Sequence, residues 1–234
     1  MEIRTVQETA STNADMLVLA AEGTPEGLWL RAEAQTGGRG RLDRAWESPP
    51  GNLYCSTIVR MRPGEPAPAT LALVAAVAVW QAVELVLPGR ARIKWPNDIM
   101  IGPAKLCGIL LERAGDAIIV GIGLNIRAHP DLAERPTTSL WAQGAVEANA
   151  SNMLEKLSSL FNKLLETWRT YGLDPIRALW LSAAHEPGTP LRINLPDGTA
   201  FDSQFYTLDN DGALIVDLPD GTKRAIHAGD VFLL

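Results

Sequence analysis

Apolar and polar positions along the chain predict several helices, two of them long. Over 154–168, apolar residues recur at helical spacing, which predicts an amphipathic helix that begins at a Ser151 cap. Segment 67–87 is long and apolar, but Gln81 and Glu84 interrupt it, which favours a buried helix over a membrane span. Both patterns predict helices whose apolar faces lie in the protein core.

Strand patterns lie between these helices. Segments 28–34 and 52–60 have the composition of strands, and three further runs at 98–101, 105–113 and 117–126 are separated by Gly-Pro and Gly-Asp pairs. Because such pairs favour tight turns, the three runs predict an antiparallel meander.

Shorter elements fill the rest of this part of the chain. A Ser-Thr-Asn cap before 14–20 and a glycine after it predict a short helix, and Asp174 followed by Pro175 predicts another. Segment 92–95 predicts a strand that stops at a proline. The proline-containing segment 127–150 predicts a loop.

A change of pattern about 47 residues before the end of the sequence marks a domain boundary. Beyond it, short strand patterns alternate with turn sequences at 196–198, 209–212 and 219–221. So short a β-rich segment suits a compact barrel. The sequence therefore predicts an α+β domain over 1–186, with a mixed sheet flanked by helices, and a small β-barrel over 187–234.

Composition excludes several protein classes. The chain has 234 residues, of which 47% are hydrophobic and 21% charged, as in a folded globular protein rather than a disordered or disulfide-stabilised one. The two cysteines, Cys55 and Cys107, and three widely spaced histidines do not predict a zinc cluster. The start of the sequence lacks an apolar run and predicts no signal peptide, so we expect a cytoplasmic protein without a membrane partner.

Basic residues concentrate in the middle of the chain. The formal net charge is −6, yet segment 31–113 holds eleven basic and seven acidic residues. Because an acidic chain is a poor general binder of nucleic acid, we expect no nucleic-acid partner. The basic middle suits a small anionic ligand, although chance sorting of surface charges explains this modest bias equally well.

The densest motif is the glycine–arginine segment 37–41, which Arg44 extends. Glycines let a backbone approach a ligand and expose N–H donors, and arginine forks bind carboxylate or phosphate. Taken alone, the motif indicates either an anion-binding loop or a flexible surface loop. Because a glycine-rich segment has little to anchor it, we expect residues 37–44 to be mobile until a ligand orders them.

Polar residues follow a predicted strand at 94–98, in the order Lys-Trp-Pro-Asn-Asp. Asp98 either offers oxygen ligands to Mg²⁺ bound with nucleotide phosphates or stabilises a turn. Lys105 opens the next apolar strand, where its ammonium group lies at a pocket mouth or is simply solvated. Gly108 within that strand lets a ligand pass close to the backbone.

Two glycines lie close together in a later strand. Gly121 and Gly123 are two residues apart, which places both on one face of the strand. The resulting bare strip either holds a flat ligand or allows close sheet packing. Asn125, which follows, either hydrogen-bonds that ligand or ends the strand.

These motifs occur in one order: Ser-Thr-Asn at 11–13, Gln35 with the glycine–arginine segment, Lys-Trp-Pro-Asn-Asp followed by Lys-x-x-Gly-Ile-Leu, and Gly-x-Gly-x-Asn. With this order and spacing the chain resembles the bacterial biotin protein ligases, the biotin–[acetyl-CoA-carboxylase] ligase family, over essentially its whole length. The resemblance implies a class II synthetase-like core with an SH3-like C-terminal barrel. It also implies an ATP-dependent, magnesium-requiring enzyme that makes biotinyl-5′-adenylate and passes biotin to a lysine of the biotin carboxyl carrier protein of acetyl-CoA carboxylase.

The resemblance also implies roles for individual residues. Lys105 is the expected catalytic cation, with Arg39 and Arg41 beside it, because it offsets charge between the biotin carboxylate and the α-phosphate. Asp98 is the expected Mg²⁺ ligand. The residues expected to bind biotin are Ser11, Thr12, Asn13, Gln35, Arg39, Gly40, Arg41, Lys105 and Gly108. The residues expected to bind the nucleotide are Arg41, Arg44, Trp46, Lys94, Asn97, Asn125 and Trp141.

Two departures from the family pattern matter. The family's arginine loop commonly continues with Arg-Gly-Arg, whereas Leu42 and Asp43 precede Arg44 here, which lowers the local charge and stiffens the loop. The biotin motif begins at Ser11, so we expect no winged-helix DNA-binding domain and no repressor role. A lipoate or octanoate ligase and a catalytically silent biotin-binding module remain the alternative functions. The expected assembly is a monomer or a homodimer.

Overall fold

The computed structural model describes residues 2–132 and 135–234, and within them the chain forms two β-sheets and four α-helices. The first part contains, in order, β1 (Glu2–Thr9), α1 (Thr12–Ala21), β2 (Leu28–Gln35), β3 (Leu53–Arg60), α2 (Leu71–Glu84), β4 (Ala91–Lys94), β5 (Asp98–Ile101), β6 (Ala104–Ala114), β7 (Ala117–Leu124), α3 (Ala150–Tyr171) and α4 (Asp174–Ala183). The second part contains β8 (Pro190–Asn194), β9 (Ala200–Leu208), β10 (Leu214–Asp217), β11 (Lys223–Ile226) and β12 (Asp230–Leu233).

The described strands of the larger sheet lie in the order β1-β2-β3-β7-β6-β5-β4. β1 and β2 are parallel, and the other described neighbours are antiparallel. The predicted α+β class with a mixed sheet is therefore confirmed. The predicted meander is present as β5, β6 and β7, which are adjacent in the sheet as well as in the chain.

Helix α1 covers only part of one sheet face. Met16 of α1 packs against Leu30 of β2 and Ile119 of β7 in one buried cluster. Of the predicted Ser-Thr-Asn cap, Ser11 caps this helix, because its side chain accepts a hydrogen bond from the backbone N–H of Ala14, whereas Thr12 and Asn13 already belong to the helix. Since α1 begins there, the sheet face beyond its N-terminus is left open for a ligand.

Helices α2, α3 and α4 pack on the opposite face. Most residues of α2 are buried, as expected for a helix that lies between a sheet and two other helices. Trp29 of β2 meets Phe161 of α3 edge-on, with ring centroids 5.5 Å apart. None of the helices in the described residues is long and apolar enough to cross a bilayer. Helices α2, α3 and α4 therefore cover the side of the sheet opposite the open face.

Some element boundaries differ from the predicted ones. α2 is shorter than segment 67–87 at both ends. α3 is capped by Asn149, whose side chain accepts a hydrogen bond from the N–H of Asn152, rather than by Ser151. β1 was not predicted, because its side chains are mostly exposed or polar and its extended shape depends on pairing with β2.

The residues after α4 form a separate antiparallel sheet in the order β11-β10-β9-β8-β12. The turns predicted at 196–198, 209–212 and 219–221 join β8 to β9, β9 to β10 and β10 to β11. β12 faces the larger sheet, because Lys94 Nζ donates a hydrogen bond to the carbonyl oxygen of Val231 over 2.7 Å. The C-terminal strands therefore contribute to the surroundings of the β4–β5 turn.

Candidate functional site

A cavity of about 480 Å³ opens on the sheet face that α1 leaves uncovered. Strands β3, β5, β6 and β7 form its floor, and its walls come from the glycine–arginine segment, the loop after β7 and β12. The cavity brings together most of the residues singled out in the sequence, and those that line it are Ser11, Thr12, Asn13, Gln35, Arg39, Gly40, Arg41, Arg44, Trp46, Lys94, Asn97, Asp98, Lys105, Gly108 and Asn125.

Two glycines make room for an aromatic ring on the cavity floor. Gly108 of β6 and Gly123 of β7 are directly opposite each other in the sheet register. The Trp46 indole lies on this bare patch, since a Cβ atom would be 2.6 Å from the ring at Gly123 and 3.0 Å from it at Gly108. The side chain of Asn13 fills the corresponding space at Gly121. The predicted bare strip therefore exists, and two protein side chains rest on it.

A network of mostly uncharged hydrogen-bonding groups lies at the α1 end of the cavity. Gln35 Oε1 accepts from the backbone N–H and the hydroxyl of Thr12, over 2.9 and 3.1 Å. The Ser56 hydroxyl lies 2.7 Å from Thr12 Oγ1 and 2.6 Å from Asn13 Oδ1. Asn13 Nδ2 donates to Glu112 Oε2 over 2.7 Å. Because these groups are buried or half-buried, a ligand would meet oriented donors and acceptors rather than water.

A β-bulge turns Lys105 toward the cavity. Ile99 of β5 pairs with Cys107 of β6, yet the next residue, Met100, pairs with Lys105. β6 therefore carries one extra residue, Leu106, at this point. In an uninterrupted strand Lys105 would point to the same side as Cys107, into the helix-covered core. The bulge brings the ammonium group to the open face instead.

Lys105 and Lys94 share one carboxylate. Lys105 Nζ lies 2.6 Å from Asp98 Oδ1, and Lys94 Nζ lies 3.0 Å from Asp98 Oδ2. Lys94 and Asp98 are register partners in the β4–β5 hairpin, so the tight turn itself creates their contact. Burial favours the neutral acid, but Lys105 and Lys94 outweigh it and hold the pKa of Asp98 below its usual range. Both ammonium groups are therefore held beside an ionised carboxylate.

The expected magnesium role of Asp98 does not fit this arrangement. Mg²⁺ prefers an octahedron of oxygen ligands, and both oxygens of Asp98 already contact ammonium groups that repel a divalent cation. In the part of the chain that the structure describes, no group of three or more His, Cys, Asp or Glu side chains is arranged to hold a metal ion. Asp98 instead holds Lys94 and Lys105 in place.

The arginines of the glycine–arginine segment have protein partners. Arg41 and Arg44 both pair with Asp230 of β12, Arg41 at an N–O distance of 3.8 Å. Arg39 Nη2 lies 3.3 Å from Glu112 Oε1. The expectation that this segment has little to anchor it is therefore wrong, because ion pairs tie it to β6 and to the C-terminal sheet.

The segment also carries local backbone strain. Leu42 and Asp43 have φ angles of 55° and 53°, in the left-handed region that disfavours residues with a Cβ atom. Asp43 stands where the family pattern has glycine, and aspartate tolerates this region better than leucine does. Leu42 is also 74% exposed, so packing does not compensate for the strain there.

Two asparagines and one tryptophan predicted to meet the nucleotide have distinct surroundings. Asn97 Nδ2 donates to the carbonyl oxygen of Ile109, and Asn125 Nδ2 donates to that of Thr138 over 3.0 Å. Asn125 Oδ1 is buried and has no hydrogen-bond partner within the described residues, which leaves an acceptor for a ligand. Trp141 does not line the cavity, because its indole N–H bonds to a backbone carbonyl and its ring stacks on an arginine.

Sequence reasoning missed several residues of the site. Ser56 in the mostly buried strand β3 was a usable signal, because a buried hydroxyl needs a polar partner. The β12 residues carry no such signal, since they reach the cavity only through docking of the second sheet. The cavity-lining residues that were missed include Tyr54, Met100, Pro130, Leu132, Pro136, Thr137 and Asp230–Leu233.

Comparisons with known proteins agree with this geometry. The family model described as Biotin/lipoate A/B protein ligase family matches residues 6–126, and the model described as Biotin protein ligase C terminal domain matches residues 188–234. A biotin–[acetyl-CoA-carboxylase] ligase of Paracoccus denitrificans is 36% identical over 96% of this chain and 97% of its own length. The chain belongs to the biotin protein ligase family.

Solved structures of ligase-family members share this fold. Biotin protein ligase from Aquifex aeolicus in complex with biotin and ATP has a TM-score of 0.88 at 25% identity, covering 100% of this chain and 98% of that one. Biotin protein ligase from Leishmania major in complex with biotinyl-5-AMP has a TM-score of 0.68 at 25% identity, covering 97% of this chain and 99% of that one. The ligase family therefore accounts for both sheets of the chain.

Proposed function

We propose that the protein joins biotin and ATP to form biotinyl-5′-adenylate and pyrophosphate, and then transfers biotin to a lysine of the biotin carboxyl carrier protein of acetyl-CoA carboxylase. The observation that carries this proposal is the Lys105 ammonium group, which shares one cavity with a mostly uncharged hydrogen-bonding network and three arginines. Membership of the ligase family supports both substrates, since a solved relative contains biotin and ATP.

The mostly uncharged network at the α1 end suits the ureido ring of biotin. A cyclic urea offers one carbonyl acceptor and two N–H donors, so hydroxyl and amide groups satisfy it without a charged partner. Burial of this network strengthens each hydrogen bond and makes an unpaired group costly, which favours a ligand of matching pattern. We assign Ser11, Thr12, Asn13 and Gln35 to the ureido ring, and Gly108 to the floor beneath the bound biotin.

In the first step, a biotin carboxylate oxygen attacks the α-phosphorus of ATP, a P–O bond forms and pyrophosphate leaves. Both reactants carry negative charge, so the site has to position them and offset the charge that develops. Lys105 is suited to this role because its ammonium group is fixed by Asp98 on the cavity floor. Arg39, Gly40 and Arg41 would close over the carboxylate and the phosphate.

For the nucleotide, we propose a wall at the other end of the cavity. Asn125 offers its unpartnered Oδ1 as an acceptor there. Trp141 would support this wall from outside the cavity rather than stack on the base, because its ring packs on Arg127 at 4.3 Å. The residues proposed to face the nucleotide are Arg41, Arg44, Trp46, Lys94, Asn97 and Asn125.

In the second step, the amine nitrogen of the carrier lysine attacks the biotinyl carbonyl carbon. An amide bond forms, AMP leaves, and the amine gives up a proton. This route needs no covalent enzyme intermediate. Burial raises the pKa of both Cys55 and Cys107, so neither thiol is disposed to act as a nucleophile.

We also propose the domain division 1–186 and 187–234, with a class II synthetase-like core and an SH3-like barrel. The separation of the described strands into two sheets supports this boundary. We further propose that the protein acts in a reducing cytoplasm, as a monomer or homodimer, without a nucleic-acid or membrane partner. Two free, buried cysteines and a net charge of −6 support this view, and light scattering after gel filtration distinguishes monomer from dimer.

The decisive test incubates purified protein with biotin, ATP, Mg²⁺ and a biotin carboxyl carrier domain. Mass spectrometry should find one biotin per carrier, and no labelling when ATP is omitted or the acceptor lysine is replaced by arginine. Lipoate in place of biotin should label nothing. Labelling by lipoate but not biotin would replace the proposal with a lipoate ligase. Biotin binding without any adenylate or labelling would indicate a silent binding module.

A further inference from the structure

A carboxylate of the C-terminal sheet forms ion pairs with two arginines that line the cavity. Asp230, the first residue of β12, forms ion pairs with Arg41 at 3.8 Å and, more closely, with Arg44. Arg41 Nη2 also donates to the carbonyl oxygen of Gly229 over 2.9 Å. Arg41 and Arg44, both proposed above to face the nucleotide, are therefore bound to the protein's own acceptors.

The position of Asp230 is fixed by its surroundings. Pairing of β12 with β8 places Asp230 opposite Asn194, and the Asp230 side chain is only 15% exposed. Burial favours the neutral acid, but the hydrogen bond from Arg44 and the charges of Arg44, Arg41 and Arg135 outweigh it and hold the pKa of Asp230 below its usual range. The carboxylate is therefore ionised at neutral pH and presented to the arginine forks by a strand rather than by a loop.

We propose that, in the ligand-free protein, Asp230 pairs with Arg41 and Arg44 where the phosphate groups of ATP would bind. ATP then displaces Asp230 from these arginines on binding. Carboxylate and phosphate offer guanidinium groups the same paired oxygen acceptors, so one must exclude the other. Asp230 thus competes with ATP for Arg41 and Arg44, and it ties the glycine–arginine segment to β12 as long as the phosphate site is empty. This inference rests on the proposed function, because it takes ATP as the anionic ligand.

The same strand keeps a second contact with the cavity. Lys94 Nζ donates to the carbonyl oxygen of Val231 over 2.7 Å while it also contacts Asp98. Displacement of Asp230 would loosen β12 at its first residue and leave the Lys94 contact in place. The C-terminal sheet would therefore respond to whether the phosphate site is filled.

The test compares full-length Asp230→Asn with Asp202→Asn. Asp202 is a matched control, because it pairs with Arg192 within the same sheet but is 58% exposed and does not line the cavity. Isothermal titration at low ionic strength measures the binding of ATP and, separately, of inorganic pyrophosphate. Asp230→Asn should bind both about twofold to fivefold more tightly than the wild type, since a partly exposed competing ion pair is lost. Asp202→Asn should bind as the wild type does, and equal or weaker binding by Asp230→Asn overturns the proposal.

Hydrogen exchange on the wild-type protein tests the same proposal if Asp230→Asn does not fold. ATP should slow exchange in 37–44 and speed it in 229–233, because the segment gains a ligand while β12 loses its arginine partners. Slower exchange in both segments would overturn the proposal. Carrier labelling is measured separately, so ATP binding without labelling would count against the proposed function and leave the role of Asp230 standing.

Discussion

Lys105 Nζ lies 2.6 Å from Asp98 Oδ1, so a buried carboxylate orients the main cation of the site. Asp98 is only 14% exposed, and its other oxygen holds Lys94. Without this negative charge, the two ammonium groups gathered around Asp98 would repel each other with nothing between them to offset the repulsion. The position of the Lys105 ammonium group therefore depends on Asp98, a residue that takes no direct part in the proposed reaction.

Replacing Asp98 with Asn should lower kcat for adenylate formation about tenfold to hundredfold, because Lys105 loses its orienting partner. The Mg²⁺ concentration that gives half the maximal rate should not change. Pyrophosphate release measured across a magnesium titration checks both values. Asp116→Asn removes a carboxylate that is 62% exposed and paired with Arg60, so it should match the wild type. A strongly raised magnesium requirement in Asp98→Asn would make Asp98 a metal ligand instead.

Replacing Lys105 with Ala should slow adenylate formation about a hundredfold to a thousandfold, the usual effect of removing one group that stabilises developing charge. The fold should persist, because the Lys105 side chain is 30% exposed and lies outside the apolar core. Thermal unfolding and pyrophosphate release separate the two effects. Lys156→Ala, on the exposed side of α3, is the control. A rate near that of the wild type would remove Lys105 from the mechanism.

Replacing Gly123 with Ala should destabilise the protein by about 1–3 kcal/mol, the usual effect of overpacking. The new Cβ atom would lie 2.6 Å from the Trp46 ring, so the ring must move. Biotin binding should weaken as well, because the cavity floor is displaced. Urea unfolding and biotin titration measure these changes. In a Trp46→Ala background the same substitution should lower the free energy of unfolding by much less. An unchanged loss of stability would show that the new Cβ atom clashes with a group other than Trp46.

Replacing Leu42 with Asn should raise the free energy of unfolding by about 1 kcal/mol, because asparagine tolerates the left-handed backbone region better than leucine does. Leu42 has a φ angle of 55° and is 74% exposed. Leu85→Asn is the matched control, since Leu85 is 62% exposed but has a φ angle of −69°. Equal effects of the two substitutions in urea unfolding would show that backbone strain at Leu42 is not relieved.

Arg169 of α3 should stabilise the protein in a pH-dependent way. It binds Glu65 at 2.7 Å and Glu26 at 2.8 Å, and its hydrogen bond holds the pKa of Glu26 below the ordinary value. A carboxyl pKa that is lower in the folded state stabilises the fold at pH values above the unfolded-state pKa. This contribution is lost as the pH falls through the folded-state pKa.

Arg169→Gln should therefore lower Tm at neutral pH, and its difference from the wild type should shrink below about pH 4. Arg192→Gln, which removes the ion-pair partner of the 58% exposed Asp202, should change Tm little at any pH. Thermal unfolding from neutral to acid pH measures all three proteins. A difference between Arg169→Gln and the wild type that stays constant down to pH 3 would contradict this account.

Local patterns were sufficient for most elements, whereas the roles of the site residues came from the family resemblance. Helical spacing identified α3, and the turn sequences after residue 187 identified the C-terminal hairpins, because both signals arise between residues close in the chain. β1 escaped prediction because its pairing with β2, rather than its own composition, makes it a strand. The family resemblance placed Trp141 at the nucleotide, yet Trp141 lies outside the cavity lining.

The sequence by itself determined which groups are available: an uncharged Ser-Thr-Asn motif, a glycine–arginine segment, a Lys-Trp-Pro-Asn-Asp turn and a pair of glycines in one strand. Tertiary structure decided how these groups are used. The bulge at Leu106 brings Lys105 to the open face, Asp98 takes two lysines instead of a metal, and Asp230 arrives from a separate sheet to hold Arg41 and Arg44. The physical reason is that strand register and sheet docking depend on the summed burial of many distant residues, whereas helix caps and turns depend on only a few neighbours.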